Sequence, residues 1–131
     1  MAFPMPFIVG RKIEMSQQFK EDGTVVPVTL VKAEPNVVTQ VRTQEKNGYV
    51  AVQVGTEVSK RLNKPEMGHL KDLPQVKTLQ EFRLTETSLN RGDAVSVEAF
   101  EPGMRVDVVG FSKGRGYAGV MKRHGFKCGK M

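Results

Sequence analysis

The chain contains one cysteine, no tryptophan and no long apolar run, and each scarcity removes a class of protein. Cys128 alone cannot close a disulfide within the chain, so a reducing cytoplasm is the expected compartment. The longest apolar stretches, Phe7-Ile8-Val9 and the segment from Val106 to Phe111, fall far short of the roughly 18 residues that span a bilayer. No basic region followed by an apolar run opens the sequence, and no signal peptide is expected. His69 and His124 are the only histidines, and they show no paired spacing of the kind a four-ligand structural zinc site needs. His124 and Cys128 resemble a nucleophile–base pair in spacing alone. Asp22, Asp93 and Asp107 fall in turns or strands with no convergent partner legible in the sequence. Neither catalysis, nor a metal, nor a cofactor is therefore expected.

What is present in excess is positive charge, and it is segregated. Residues 1–110 hold 14 Lys/Arg against 14 Asp/Glu and sum to zero. Residues 111–131 hold Lys113, Arg115, Lys122, Arg123, Lys127 and Lys130 with no acid, so they carry the whole net charge of +6. Scattered basic charge reads as solubility; charge confined to one end points to a polyanion, either nucleic acid or an anionic membrane surface. The membrane reading is the weaker. Residues 111–131 show no amphipathic helical stripe and contain five glycines. Residues 1–110 are expected to bind RNA negligibly.

Along the chain, the first half reads as short strands between turn signals, the pattern of an antiparallel meander. Phe7-Ile8-Val9 and the segment to Phe19 precede the Glu21-Asp22-Gly23 turn, and Val25 to Val31 follows. Pro35 breaks the chain before a third strand at Val37 to Val41. Asn47-Gly48 signals a tight hairpin into a strand from Tyr49 to Val54. Residues 56–80 lose the alternation, and Pro65, Gly68 and Pro74 interrupt any long helix, so a short-helix and loop insertion is expected there. Strand signals return at Phe82 to Leu84, Ala94 to Phe100 and Arg105 to Phe111. Between them Arg91-Gly92-Asp93 reads as a polar turn. The expected fold is mainly β, an antiparallel barrel or sandwich over residues 1–110, with 111–131 as a basic glycine-rich extension.

Gly114-Arg115-Gly116-Tyr117-Ala118-Gly119 matches the spacing of a dinucleotide fingerprint, which leaves a nucleotide-binding enzyme as the alternative reading. The fingerprint requires a strand that feeds the glycines into a helix, with an acid some way beyond. Only 12 residues follow Gly119, and none is acidic. An RNA contact uses the same residues more fully. Glycine lets a phosphate approach backbone N–H groups, Arg can grip it bidentately, and Lys offers a point charge. Phe111, Tyr117 and Phe126, interleaved with these charges, can stack on unpaired bases or fill the end of a barrel. The candidate RNA-binding residues are Ser112, Lys113, Gly114, Arg115, Gly116, Tyr117, Gly119, Lys122, Arg123, His124 and Lys127.

From Phe100 to Arg123 the sequence resembles the family of large-subunit ribosomal protein three. Phe100, Asp107, Gly110, Ser112, Gly114, Arg115, Gly116, Gly119 and Arg123 meet every fixed position of that family's signature. The opening Phe7-Ile8-Val9-Gly10-Arg11-Lys12-Ile13-Glu14-Met15-Ser16 is similar to the family's start, although Glu14 stands where members carry glycine. Glu21-Asp22-Gly23, Val37 to Val41, Lys64-Pro65-Glu66-Met67-Gly68-His69 and Glu81-Phe82-Arg83 extend the likeness to about Lys127. The resemblance implies a translation-protein-like β-barrel, here incomplete because members are longer, with an extension entering ribosomal RNA. It also implies large-subunit ribosomal RNA and neighbouring ribosomal proteins as partners, a role in subunit assembly, and neither a membrane nor a small-molecule substrate.

Overall fold

The computed structural model describes residues 6–130. Strand β1 (Arg11–Phe19) and strand β2 (Val25–Lys32) form an antiparallel hairpin that is a sheet of its own. Its turn is built as the residues require. Gly23 takes φ +87°, its N–H donates to Lys20 O at 2.9 Å, and the Asp22 carboxylate accepts the Thr24 N–H at 2.9 Å. That N–H holds the Asp22 carboxyl below the usual carboxylate range. Pro27 is tolerated in β2 because the strand has a neighbour on one side only. The register slips between Lys12 and Glu14, so the place where Glu14 replaces the resembled family's glycine is a β-bulge.

The second sheet carries the core. Strands β3 (Asn36–Arg42), β4 (Ala51–Val58), β5 (Val76–Arg83) and β6 (Ala94–Val95) lie in the order β5-β4-β3-β6, all antiparallel. Central β4 is buried at Ala51, Val52, Val54, Gly55 and Thr56, so both of its faces are covered over most of its length. Val38, Val52 and Val54 form the fully buried cluster, with Phe7, Val9, Val41, Phe82, Leu84, Leu89 and Val95 packed on it. Gly55 is required by space. A Cβ there would stand 2.3 Å from Val76 Cγ2. Gly55→Ala is expected to cost about 1–3 kcal/mol through overpacking, read as a lowered thermal midpoint.

The antiparallel, mainly β reading holds, while several element boundaries move. Phe7-Ile8-Val9 is not a strand: Phe7 stacks on Phe82 with ring centroids 4.5 Å apart, and Val9 packs on the core. Buried Asn36 ties this segment down. In the amide orientation that satisfies both ends, its oxygen accepts Val9 N–H at 2.7 Å and its nitrogen donates to Val9 O and Glu34 O. Asn47-Gly48 is not a two-residue hairpin turn. Helix α1 (Gln44–Asn47) fills the β3–β4 connection, and Gly48, at φ +80°, caps it. The β1–β2 hairpin stands apart from the β3–β4–β5 meander. The insertion is narrower than 56–80, because β4 runs to Val58 and β5 starts at Val76. Within it lies helix α2 (Lys64–His69), with Pro65 in its first turn and the Glu66 carboxylate accepting the Asn63 N–H at 3.0 Å.

The last two expected strands are corrected more severely. Only Ala94 and Val95 of Ala94–Phe100 find a partner, on Asn36 and Val37, and a 3₁₀ turn at Val97–Ala99 follows. Arg105 to Phe111 forms no strand. Its valines have no ladder to join, and adjacent Val108 and Val109 break the alternation that would give it one face.

Candidate nucleic-acid interface

The candidate residues share one property before any geometry: every described residue from Glu101 onward is exposed. Val109 is 98% and Phe111 100% exposed. Phe111 therefore does not fill the end of a barrel, and fully exposed Tyr117 does not either. Phe126 keeps 61% exposure, with its ring 5.8 Å from that of His124. Ser112, Lys113, Gly114, Arg115, Gly116, Tyr117 and Gly119 lie on irregular backbone. Helix α3 (Val120–His124) then carries Lys122, Arg123 and His124, and Lys127 follows it. Gly119 is its N-cap and Gly125, at φ +67°, its C-cap, so glycines confine the helix to five residues.

Glycine does different work at different points in this run. Gly116 takes φ +72°, a conformation that L side chains rarely adopt, whereas Gly114 does not. Neither would place a Cβ within 4 Å of another group, so space around both is open to a ligand. Gly116→Val is accordingly expected to weaken RNA binding more than Gly114→Val. The first strains the loop and blocks approach; the second only blocks approach. Equal affinities for both variants and the parent chain, measured by filter binding, would reduce the loop to a spacer.

Electrostatically the segment is unneutralised. Among the described residues the ion pairs are Arg11–Glu57, Lys32–Glu34 and Arg42–Glu81, and none involves a residue beyond Glu81. Lys113, Arg115, Lys122, Arg123, Lys127 and Lys130 thus present their charge to solvent, where phosphates can meet it. The dinucleotide reading loses its scaffold, because no strand precedes the glycines and five residues of helix follow them. Cys128 and His124 are not paired either. The thiol donates to Met121 Sδ at 3.3 Å, while the nearest aromatic neighbour of His124 is Phe126.

A second set of polar residues meets in the sheet domain. The Arg91-Gly92-Asp93 segment is the expected polar turn: Gly92 has φ +98°, and the Asp93 carboxylate accepts the Asn90 N–H at 2.8 Å. Its arginine does more than the sequence disclosed. Arg91 Nε donates to Thr39 O at 3.1 Å, and Nη2 donates to Lys71 O at 2.8 Å and His69 O at 3.3 Å. One side chain thereby ties the β3 bulge to the C-terminal end of α2. Thr39, extra in the bulge and 1% exposed, donates its hydroxyl to Gln53 Oε1 at 2.9 Å, and His69 Nε2 lies 2.8 Å from the same oxygen. These partners lie up to 52 residues apart, and no local signal in the sequence links them. Thr39, His69 and Arg91 line a cleft of about 410 Å³, but their polar atoms are engaged with one another and with backbone.

A third cluster fixes the hairpin to the sheet. Arg11 reaches Glu57 at 2.8 Å, and the Thr78 hydroxyl donates to the other Glu57 oxygen at 3.1 Å. The Thr78 bond first, and the Arg11 bond second, hold the Glu57 carboxyl below the usual carboxylate range. No helix among the described residues is long and apolar enough to cross a membrane.

Comparison with known proteins agrees with the resemblance seen in residues 100–123. Residues 74–131 match the sequence pattern of the family described as ribosomal protein L3. The chain is 51% identical over 126 residues to the large ribosomal subunit protein uL3 of Herpetosiphon aurantiacus, covering 93% of this chain and 59% of that protein. It is 49% identical over 121 residues to its counterpart in Roseiflexus sp., covering 89% and 58%. With the uL3c protein of Phaeodactylum tricornutum the identity is 43% over 129 residues, covering 95% and 62%. The chain thus spans 58–62% of the length of these relatives. With half its residues shared across nearly its whole length and every fixed position of the signature in place, the chain is similar throughout to proteins of the ribosomal protein L3 family.

Proposed function

We propose that this chain is a structural, non-enzymatic constituent of the large ribosomal subunit that binds ribosomal RNA through residues 111–131 and supports subunit assembly. The observation that carries the reading is the coincidence of three properties in one stretch. The stretch bears six solvent-facing cations with no acid, its glycine backbone is open on all sides, and it lies within the region matched by the ribosomal protein L3 family. Ser112, Gly114, Gly116 and Gly119 let phosphates come close to backbone N–H groups. Lys113, Arg115, Lys122, Arg123 and Lys127 neutralise them, and Tyr117 and His124 offer rings to unpaired bases.

In this reading the antiparallel sheets are the part of a translation-protein-like barrel that seats the chain on the subunit surface. Their open edges at β5 and β6 support it, since exposed edges invite a further strand. Residues 1–110 and 111–131 then act as seat and probe, with neighbouring ribosomal proteins against the seat and the ribosome in the cytoplasm as the location. The test is a filter-binding titration of the chain with large-subunit ribosomal RNA and with unrelated RNA of equal length, alongside titrations with ATP and NAD. Tighter binding to the ribosomal RNA, with no nucleotide binding, is the expected result. Saturable nucleotide binding without RNA preference would overturn it.

A further inference from the structure

The zero charge sum of residues 1–110 conceals an uneven surface. We propose that Lys60, Arg61 and Lys64, in the loop between β4 and β5, form a second RNA-phosphate contact that is already shaped before RNA arrives. The proposal rests on the RNA-binding reading above and adds a site to it.

Three observations carry it. Lys60, Arg61 and Lys64 fall within five residues of chain, all exposed, and Ser59 to Pro65 contains no acid. No carboxylate among the described residues forms an ion pair with any of them. The two flanking acids in sequence are engaged elsewhere: Glu57 pairs with Arg11 at 2.8 Å, and Glu66 accepts the Asn63 N–H at 3.0 Å. Arg11, Lys32 and Arg42 each have a carboxylate partner, and among the remaining cations of residues 1–110 no other three fall within five residues of chain.

The loop is also held at many points, which separates it from residues 101–130. Ser59 N–H donates to Gln75 O at 2.9 Å, and Arg61 N–H donates to Ser59 Oγ at 3.2 Å. Leu70 is 3% exposed, and Arg91 grips the carbonyls of His69 and Lys71. A cation on an anchored loop loses less freedom on binding than one on a segment without such ties, so each contact there yields more affinity. The chemistry fits a phosphate backbone: two point-charge lysines flank an arginine whose fork can bind one phosphate bidentately. RNA is thus held at two places, one anchored and one extended.

The test uses the full chain with Lys60, Arg61 and Lys64 all replaced by glutamine, compared with the parent chain by titration with large-subunit ribosomal RNA at several salt concentrations. An unchanged thermal midpoint establishes that the variant is folded. The expected result is a slope of log affinity against log salt shallower by about 2–3, with affinity near physiological salt lower by roughly 10–10². Arg61→Glu alone should reproduce much of that loss. If the parent chain binds and the variant keeps its slope and affinity, this second contact is overturned while the contact at 111–131 stands. If the variant loses affinity for polyglutamate but not for RNA, the loop serves an acidic protein and the proposal fails. If the parent chain does not bind RNA, the RNA-binding reading falls, and this inference falls with it.

Discussion

Replacing Lys113, Arg115, Lys122, Arg123, Lys127 and Lys130 together with glutamine should flatten the salt dependence of RNA binding more than any other change to this chain. If all six cations meet phosphates, each releases condensed counterions and adds about 0.7–0.9 to the slope, so the variant should lose roughly 4–5 from it. On the parent chain this contribution alone makes a fourfold rise in salt weaken binding by roughly 10²–10³. Within the set the contacts are unequal. Arg115, flanked by Gly114 and Gly116, can bind bidentately, whereas Lys130 must be ordered before it contributes. Arg115→Ala should therefore cost more affinity than Lys130→Ala. A six-fold variant that retains the parent slope would sink the phosphate reading. Equal losses for the two single variants would remove only the ranking.

Arg91→Ala should give the largest loss of stability among exposed or half-exposed positions. It removes donors from three carbonyls at once and uncouples the β3 bulge from the end of α2. A hydrogen bond from a charged donor contributes about 1.5–3 kcal/mol. The three share one partly exposed guanidinium and are not additive, so a total of about 2–4 kcal/mol is expected. For a domain of this size that lowers the thermal midpoint by roughly 10 °C or more. Arg91→Lys separates charge from geometry, because a single ammonium cannot span Thr39, His69 and Lys71 as the fork does. Near-complete rescue by lysine would mean that the charge, rather than the tie, stabilises the turn.

The sequence disclosed the parts of this molecule that depend on neighbours in the chain. The Glu21-Asp22-Gly23 turn, the strand runs at Val25 to Val31 and Val37 to Val41, the polar turn at Arg91-Gly92-Asp93 and the basic surplus after Phe111 are all local patterns. The cations and glycines of the candidate site were legible for the same reason, but their spacing does not tell left-handed Gly116 from Gly114, which does not share that conformation. The misreadings arose where a partner decides. Asn47-Gly48 carries a hairpin signature but closes a helical turn, since Gly48 N–H reaches Gln44 O at 3.0 Å. Arg105 to Phe111 has strand-forming residues but no strand beside it. The Arg91 tie joins residues far apart in sequence. Lys60, Arg61 and Lys64 were visible throughout, but a charge sum taken over 110 residues averaged them away.

The exposure of every described residue beyond Phe100 separates two sets of constraints on this chain. None of those side chains belongs to the Val38–Val52–Val54 cluster, so a substitution there leaves the packing of the sheet untouched. Their identities do not answer to the core, whereas residues in β3, β4 and β5 answer to one another. On the proposed RNA contact, selection could tune the grip without drawing on the stability of the fold, and repair the fold without altering the grip. The connection between β4 and β5 differs: Arg91 ties its end at His69 and Lys71 to Thr39 of β3, so a contact placed there, as proposed, shares an anchor with the sheet.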